Sequence, residues 1–199
     1  RREIPTRSDP RILSDLLVLP AADAVVLSSW GGRFCALAAG SGEEEFAWEA
    51  GVSPCAGAAA DGEGRLYCVR AVTKRGVELV RVTGTGEETV LHVSPEDQRG
   101  ARRALVAAAP VIDEARGVLY FVTPRDRGGI LHAWALISDR LLWSQSLPQA
   151  VQATAAIRPD GVVLVADLGG SVLAVAPRGE VRLRYASGSA CQGRSSSSP

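Results

Sequence analysis

The chain has 199 residues, with 22 basic and 22 acidic side chains, a formal net charge of zero, 46% hydrophobic residues and only 5% aromatic ones. That length suits one domain or one repeat array with a buried core. The balanced, interspersed charge gives no electrostatic footprint for nucleic acid or an anionic membrane, and no apolar run approaches the roughly 20 residues of a helical membrane span.

Residues 1–12 are polar and open on Arg1-Arg2-Glu3; with no Met anywhere and no apolar leader, the sequence reads as a fragment or a processed piece. From residue 13 a pattern begins. In 13–50, an apolar run at 16–19 precedes a turn at 20–23, a β-rich run at 25–27, the segment Gly32-Arg33-Phe34-Cys35-Ala36 and a closing run at 46–48. In 52–93 the same order returns: 55–60, a turn at 61–64, 66–69, Gly76 to Val80, and 89–91. In 104–147 it is 105–112, a turn at 113–117, 118–122, Gly129 to Ala133, and 141–143. In 149–187 it is 151–157, a turn at 159–161, 162–165, Gly170 to Ala174, and 181–185. Each unit therefore predicts four short strands joined by tight turns. The period of about 40–50 residues is that of a propeller blade. No stretch holds a 3.6-residue apolar period free of Gly or Pro, so no helix of useful length is expected. Residues 188–199 form a Gly/Ser-rich tail that cannot bury enough apolar surface to order itself.

The fold class that follows is all-β: four repeats of four antiparallel strands forming propeller blades, a partial or half propeller. An open arc would leave unpaired edges and one uncovered blade face at each end. Further blades outside these residues, two copies closing together, or four blades closing on themselves would each cover them. The first is favoured, because uncapped repeats are poorly soluble. Of the four cysteines, Cys35, Cys55 and Cys68 lie in apolar strand-like runs and read as buried thiols. In an oxidising compartment Cys35 could instead pair with Cys55 or Cys68. Cys191 falls in the tail, and the compartment stays open.

The segments Trp30-Gly31-Gly32-Arg33-Phe34-Cys35-Ala36-Leu37 and Leu168-Gly169-Gly170-Ser171-Val172-Leu173-Ala174-Val175 resemble the PQQ-like (quinoprotein/BamB-like) β-propeller repeat, over roughly residues 13–187. That resemblance implies a Trp at the end of each fourth strand, docked against the neighbouring blade. Trp143 matches the family position. Phe46 occupies it in the first unit, with Trp48 two residues beyond, and Val90 and Leu183 fall near it in the other two. Such residues are structural: a large wedge buries apolar surface and fixes the angle between blades. Dehydrogenases of the family hold a quinone and a metal with carboxylates and Asn. This chain has no asparagine at all, so no cofactor and no catalytic residue are assigned, and a fold alone does not supply a site. The resemblance also leans towards an extracytoplasmic location.

Other candidate chemistry yields to plainer explanations. Thr83-Gly84-Thr85-Gly86-Glu87-Glu88 lacks the lysine of a phosphate loop and any following helix, and reads as a strand-joining turn. His92 and His132 lack partners at metal-ligand spacing and read as ordinary strand positions. The run Gly42-Glu43-Glu44-Glu45 reads as a solvated turn, and no nucleophile elbow appears. What exceeds the repeat is a set of lengthened connections bearing Lys74, Arg75, Arg125 and Arg127 in two hairpins, and Arg99, Arg102 and Arg103 in the connector between the second and third units. Up-and-down blades place these on one rim. Long loops on a rigid scaffold are where binding concentrates, so this rim is the candidate contact for an acidic protein partner or a neighbouring domain of the same polypeptide. The function expected is a non-catalytic scaffold or recognition module. The alternatives are a piece of a quinoprotein-type dehydrogenase or a regulatory propeller appended to an adenylate-forming or other multidomain enzyme.

Overall fold

The computed structural model describes residues 16–19, 22–29, 32–50, 57–72, 76–94, 108–125 and 128–186. They form sixteen strands in four separate sheets, each a four-stranded antiparallel meander in chain order. Blade 1 holds β1 (Leu17–Leu19), β2 (Ala24–Ser28), β3 (Arg33–Ala38) and β4 (Glu44–Glu49). Blade 2 holds β5 (Ala58–Ala60), β6 (Leu66–Val72), β7 (Gly76–Val82) and β8 (Glu88–Ser94). Blade 3 holds β9 (Val111–Asp113), β10 (Val118–Pro124), β11 (Gly129–Ala135) and β12 (Arg140–Leu147). Blade 4 holds β13 (Ala156–Ile157), β14 (Val163–Ala166), β15 (Ser171–Val175) and β16 (Val181–Ala186). The polar segment 1–12, the tail 188–199, Trp30, Cys55 and Cys191 lie outside the described residues.

First strands touch first strands, β1 on β5, β5 on β9 and β9 on β13, which sets the blades side by side with their short strands innermost. Three apolar cores among the described residues lie between successive blades. Phe34, Ala36 and Trp48 of blade 1 meet Leu66, Cys68 and Val80 of blade 2. Tyr67, Val69 and Leu79 of blade 2 meet Leu119, Phe121 and Trp134 of blade 3. Tyr120, Leu131 and Ala133 of blade 3 meet Val163, Val165 and Leu173 of blade 4. Every blade thus has a forward face, towards the next blade in the chain, and a rear face.

This sandwiching explains the sequence texture. Strands β6, β7, β10 and β11 carry near-continuous apolar runs because both their faces are buried. In blades 1 and 4 the second strands, β2 and β14, alternate buried with half-buried residues, as sheets covered on one face do. The outer hairpin of every blade has one register shift, at Ala36/Leu37, Leu79/Val80, Ala133/Trp134 and Ala174/Val175. A bulge of this kind adds one residue to the outer strand and raises its twist.

Candidate functional site

With no cluster of His, Cys, Asp or Glu suited to a metal ion among the described residues, the places where side chains converge are the blade junctions. Between blades 1 and 2, Phe46 pairs with Ala36 on the forward face, and its ring lies 3.5 Å from where a side chain on Gly86 would begin. Gly86 turns the β7–β8 hairpin of blade 2. Beside it, the Trp48 indole N–H donates to Glu88 Oε2 at 3.2 Å and its ring packs on Phe34 with centroids 5.3 Å apart. Between blades 3 and 4, Trp143 pairs with Ala133 and lies over the β15–β16 turn. Its Nε1–H donates to the Pro177 carbonyl at 2.7 Å, and its ring stands 3.0 Å from a Cβ built on Gly179.

The junction between blades 2 and 3 uses other chemistry. The turn glycine of blades 1, 2 and 4 is replaced in blade 3 by Asp139, which adopts φ 44°. Arg81 of blade 2 donates to both oxygens of Asp139, at 3.0 and 2.9 Å. An ion pair here stands where the flanking junctions set a ring on a glycine.

The forward position on β8 is taken by His92, not by Val90. The bulge in blade 2 falls one residue earlier relative to its glycine, so Leu79 pairs with His92 and Val80 with Val90. Val80 faces blade 1, and Val90 is 44% exposed. The expectation for Val90 is corrected on that ground: the glycine-to-Val80 spacing of the sequence reading is one residue out of phase, and in a strand one residue is the opposite face. His92 lies 5.4 Å from the His132 ring and 5.9 Å from that of Trp134, both in blade 3. His132 is buried and stacked on Phe121 at 4.7 Å. The Thr123 hydroxyl sits 2.8 Å from its Nε2 and the Ser144 hydroxyl 2.8 Å from its Nδ1, so a neutral ring has one donor and one acceptor satisfied. Burial above all, then His92 and Arg125, pushes the His132 pKa down to about 4. Sequence reasoning gave neither histidine a role; only the phase of the strand identifies the pair.

Two rear faces carry an arginine between carboxylates. On blade 2, Arg70 bonds Glu78 at 2.9 Å and Glu88, and its Nη1 donates to the Ala50 carbonyl of blade 1 at 3.2 Å. On blade 1, Arg33 bonds Glu44 at 3.2 Å and Glu49 at 3.4 Å, while the Cys35 thiol donates to Glu44 at 3.1 Å. Burial, then Glu44, pushes the Cys35 thiol up to about 11. Cys35 and Cys68 are buried and form no disulfide.

Of the basic rim, Lys74, Arg75, Arg99, Arg102, Arg103 and Arg127 lie outside the described residues. Arg125 is exposed beyond the end of β10, its backbone N–H donating to the Gly128 carbonyl at 3.2 Å. Leu183 holds the forward position of blade 4 but is 62% exposed, and Tyr185 beside it is 59% exposed. Neither faces another blade among the described residues.

No protein-family model matches the chain, and no curated protein matches it. Among solved structures it is similar to the crystal structure of Saccharomyces cerevisiae Sqt1, a WD40 β-propeller, with 12% sequence identity and a TM-score of 0.64 over 82% of this chain. The chain spans 45% of that chain's length. The likeness establishes the propeller-type fold; the PQQ-like repeat type is not established by it.

Proposed function

We propose that the chain is a non-catalytic propeller scaffold of PQQ-like repeat type, which recognises an acidic protein surface through the basic rim of blades 2 and 3. The observation that carries this reading is the contact of β6 with β10 across the blade 2–blade 3 junction. Each of these neighbouring strands leads into a hairpin whose connection is basic, Lys74 and Arg75 in one, Arg125 and Arg127 in the other. The connector between the two blades adds Arg99, Arg102 and Arg103. Charge gathered this way steers and orients an oppositely charged partner more than it sets affinity. The junction interiors are given over to packing, which leaves loops as the part of the scaffold free to recognise.

The test replaces all seven basic residues with Ser and measures binding of a fluorescent poly-glutamate peptide at low and raised salt. Wild type should bind in a salt-sensitive manner and the variant should not, at an unchanged melting temperature. Equal binding by both proteins overturns the reading.

A further inference from the structure

Blades 1 and 4 each keep one apolar face that no other blade covers among the described residues, and the two faces match. On the forward face of blade 4, Leu183 pairs with Ala174 and Tyr185 with Val172. On the forward face of blade 1, Phe46 pairs with Ala36 and Trp48 with Phe34, in the same relation to the bulge. Leu183 and Tyr185 therefore hold the positions of Phe46 and Trp48: an apolar wedge, then a ring carrying one hydrogen-bond donor. In blade 1 that pair is seated against blade 2, where Trp48 donates to a carboxylate of the Arg70–Glu78–Glu88 cluster. The rear face of blade 1 displays a cluster of the same make, Arg33 with Glu44 and Glu49. It is flanked by half-buried Val25, Leu27 and Leu37 and by Val18, which is 61% exposed. Arg33 also keeps a buried Nε–H with no acceptor among the described residues.

We infer that two copies of this chain associate head to tail, the forward face of blade 4 in each seated on the rear face of blade 1 in the other, closing an eight-bladed ring. Leu183 packs among Val18, Val25 and Leu37 of the second copy, and the Tyr185 hydroxyl donates to its Glu44 or Glu49 as Trp48 does to Glu88. A heterologous contact closes when its rotation divides the circle. A ring of twice this chain's length is consistent with the Sqt1 propeller, of which this chain spans 45%. The inference rests on residues of blades 1 and 4, none of them among the seven basic residues, so either can fail without the other.

Sedimentation equilibrium of the full chain should give twice the 20.8 kDa monomer mass. Leu183→Glu and Val18→Glu alter exposed side chains, so each should leave the far-ultraviolet circular dichroism unchanged while weakening association by about tenfold or more, through a buried unpaired carboxylate. Mixing the two variants should restore a dimer, because one junction in the mixed pair is then unaltered. A wild type that stays monomeric overturns the inference, as do open-ended polymers, which would mean the contact does not close. A dimer indifferent to both substitutions would place the contact on other surfaces, and variants that fail to complement would mean a symmetric face-to-face contact; either overturns it.

Discussion

His132 lies between two hydroxyls and against Phe121 at 3% exposure, surroundings that accept a neutral imidazole and resist a charged one. Its folded pKa of about 4 lies below the ordinary value of 6.5. Between these values the unfolded chain binds the proton and the folded chain does not, so stability falls as pH drops through that window and is level above it. The loss by pH 4 is about 3 kcal/mol at most, on the linkage of one pKa unit to roughly 1.4 kcal/mol. Urea midpoints taken from pH 7 to pH 4 should decline, and His132→Asn should flatten the decline while lowering the pH 7 value. An equal slope in the variant would place the titration elsewhere, His92 being the other histidine whose pKa burial lowers. Cysteine behaviour was legible at this scale: Cys35 and Cys68 are buried as apolar strand positions are expected to be. The histidine pair was not, because its environment comes from another blade, and nothing local in the sequence reports a neighbour 40 residues away.

Elements carry the junctions, and here a single residue of phase decides what faces what. The sequence marks every strand of the four blades, since runs of Val, Leu and Ala between Gly- and Asp-rich turns have few alternative readings. It does not mark where a bulge falls, and that determined the exchange of Val90 for His92. Two junctions can be tested directly. Gly179 has φ +96° and a Cβ there would lie 3.0 Å from the Trp143 ring, so Gly179→Ala should cost about 1–3 kcal/mol through backbone strain and displacement of that ring. If Trp143→Leu removes most of that cost, measured by chemical denaturation, the ring and the turn act as one unit; full additivity would separate them. The Arg81–Asp139 pair should behave differently. Its side chains are 20% and 42% exposed, so solvent screens the pair and a double-mutant cycle should return a coupling of only about 0.5–1 kcal/mol. A coupling of several kcal/mol would mean that this pair, rather than the apolar core beneath it, holds blades 2 and 3 together.

Across the whole molecule, apolar cores join each blade to its neighbours, the arrangement in which stability is a sum of blade terms and nearest-neighbour terms. Phe121 sits at 2% exposure on the rear face of blade 3, within the core shared with blade 2. Phe121→Ala removes a large buried ring there at a cost of about 3–5 kcal/mol. The cores between blades 1 and 2 and between blades 3 and 4 contain none of its neighbours in that junction. The substitution should therefore uncouple the array at its middle rather than weaken it evenly. In native-state hydrogen exchange, amides of β6 and β14 should open with a common free energy in the wild type. In the variant they should separate into two units, blades 1–2 and blades 3–4, that open independently. Were β6 and β14 to lose protection together and equally, the four blades would form one cooperative body, and the coupling would have to run through more than the three junctions described here.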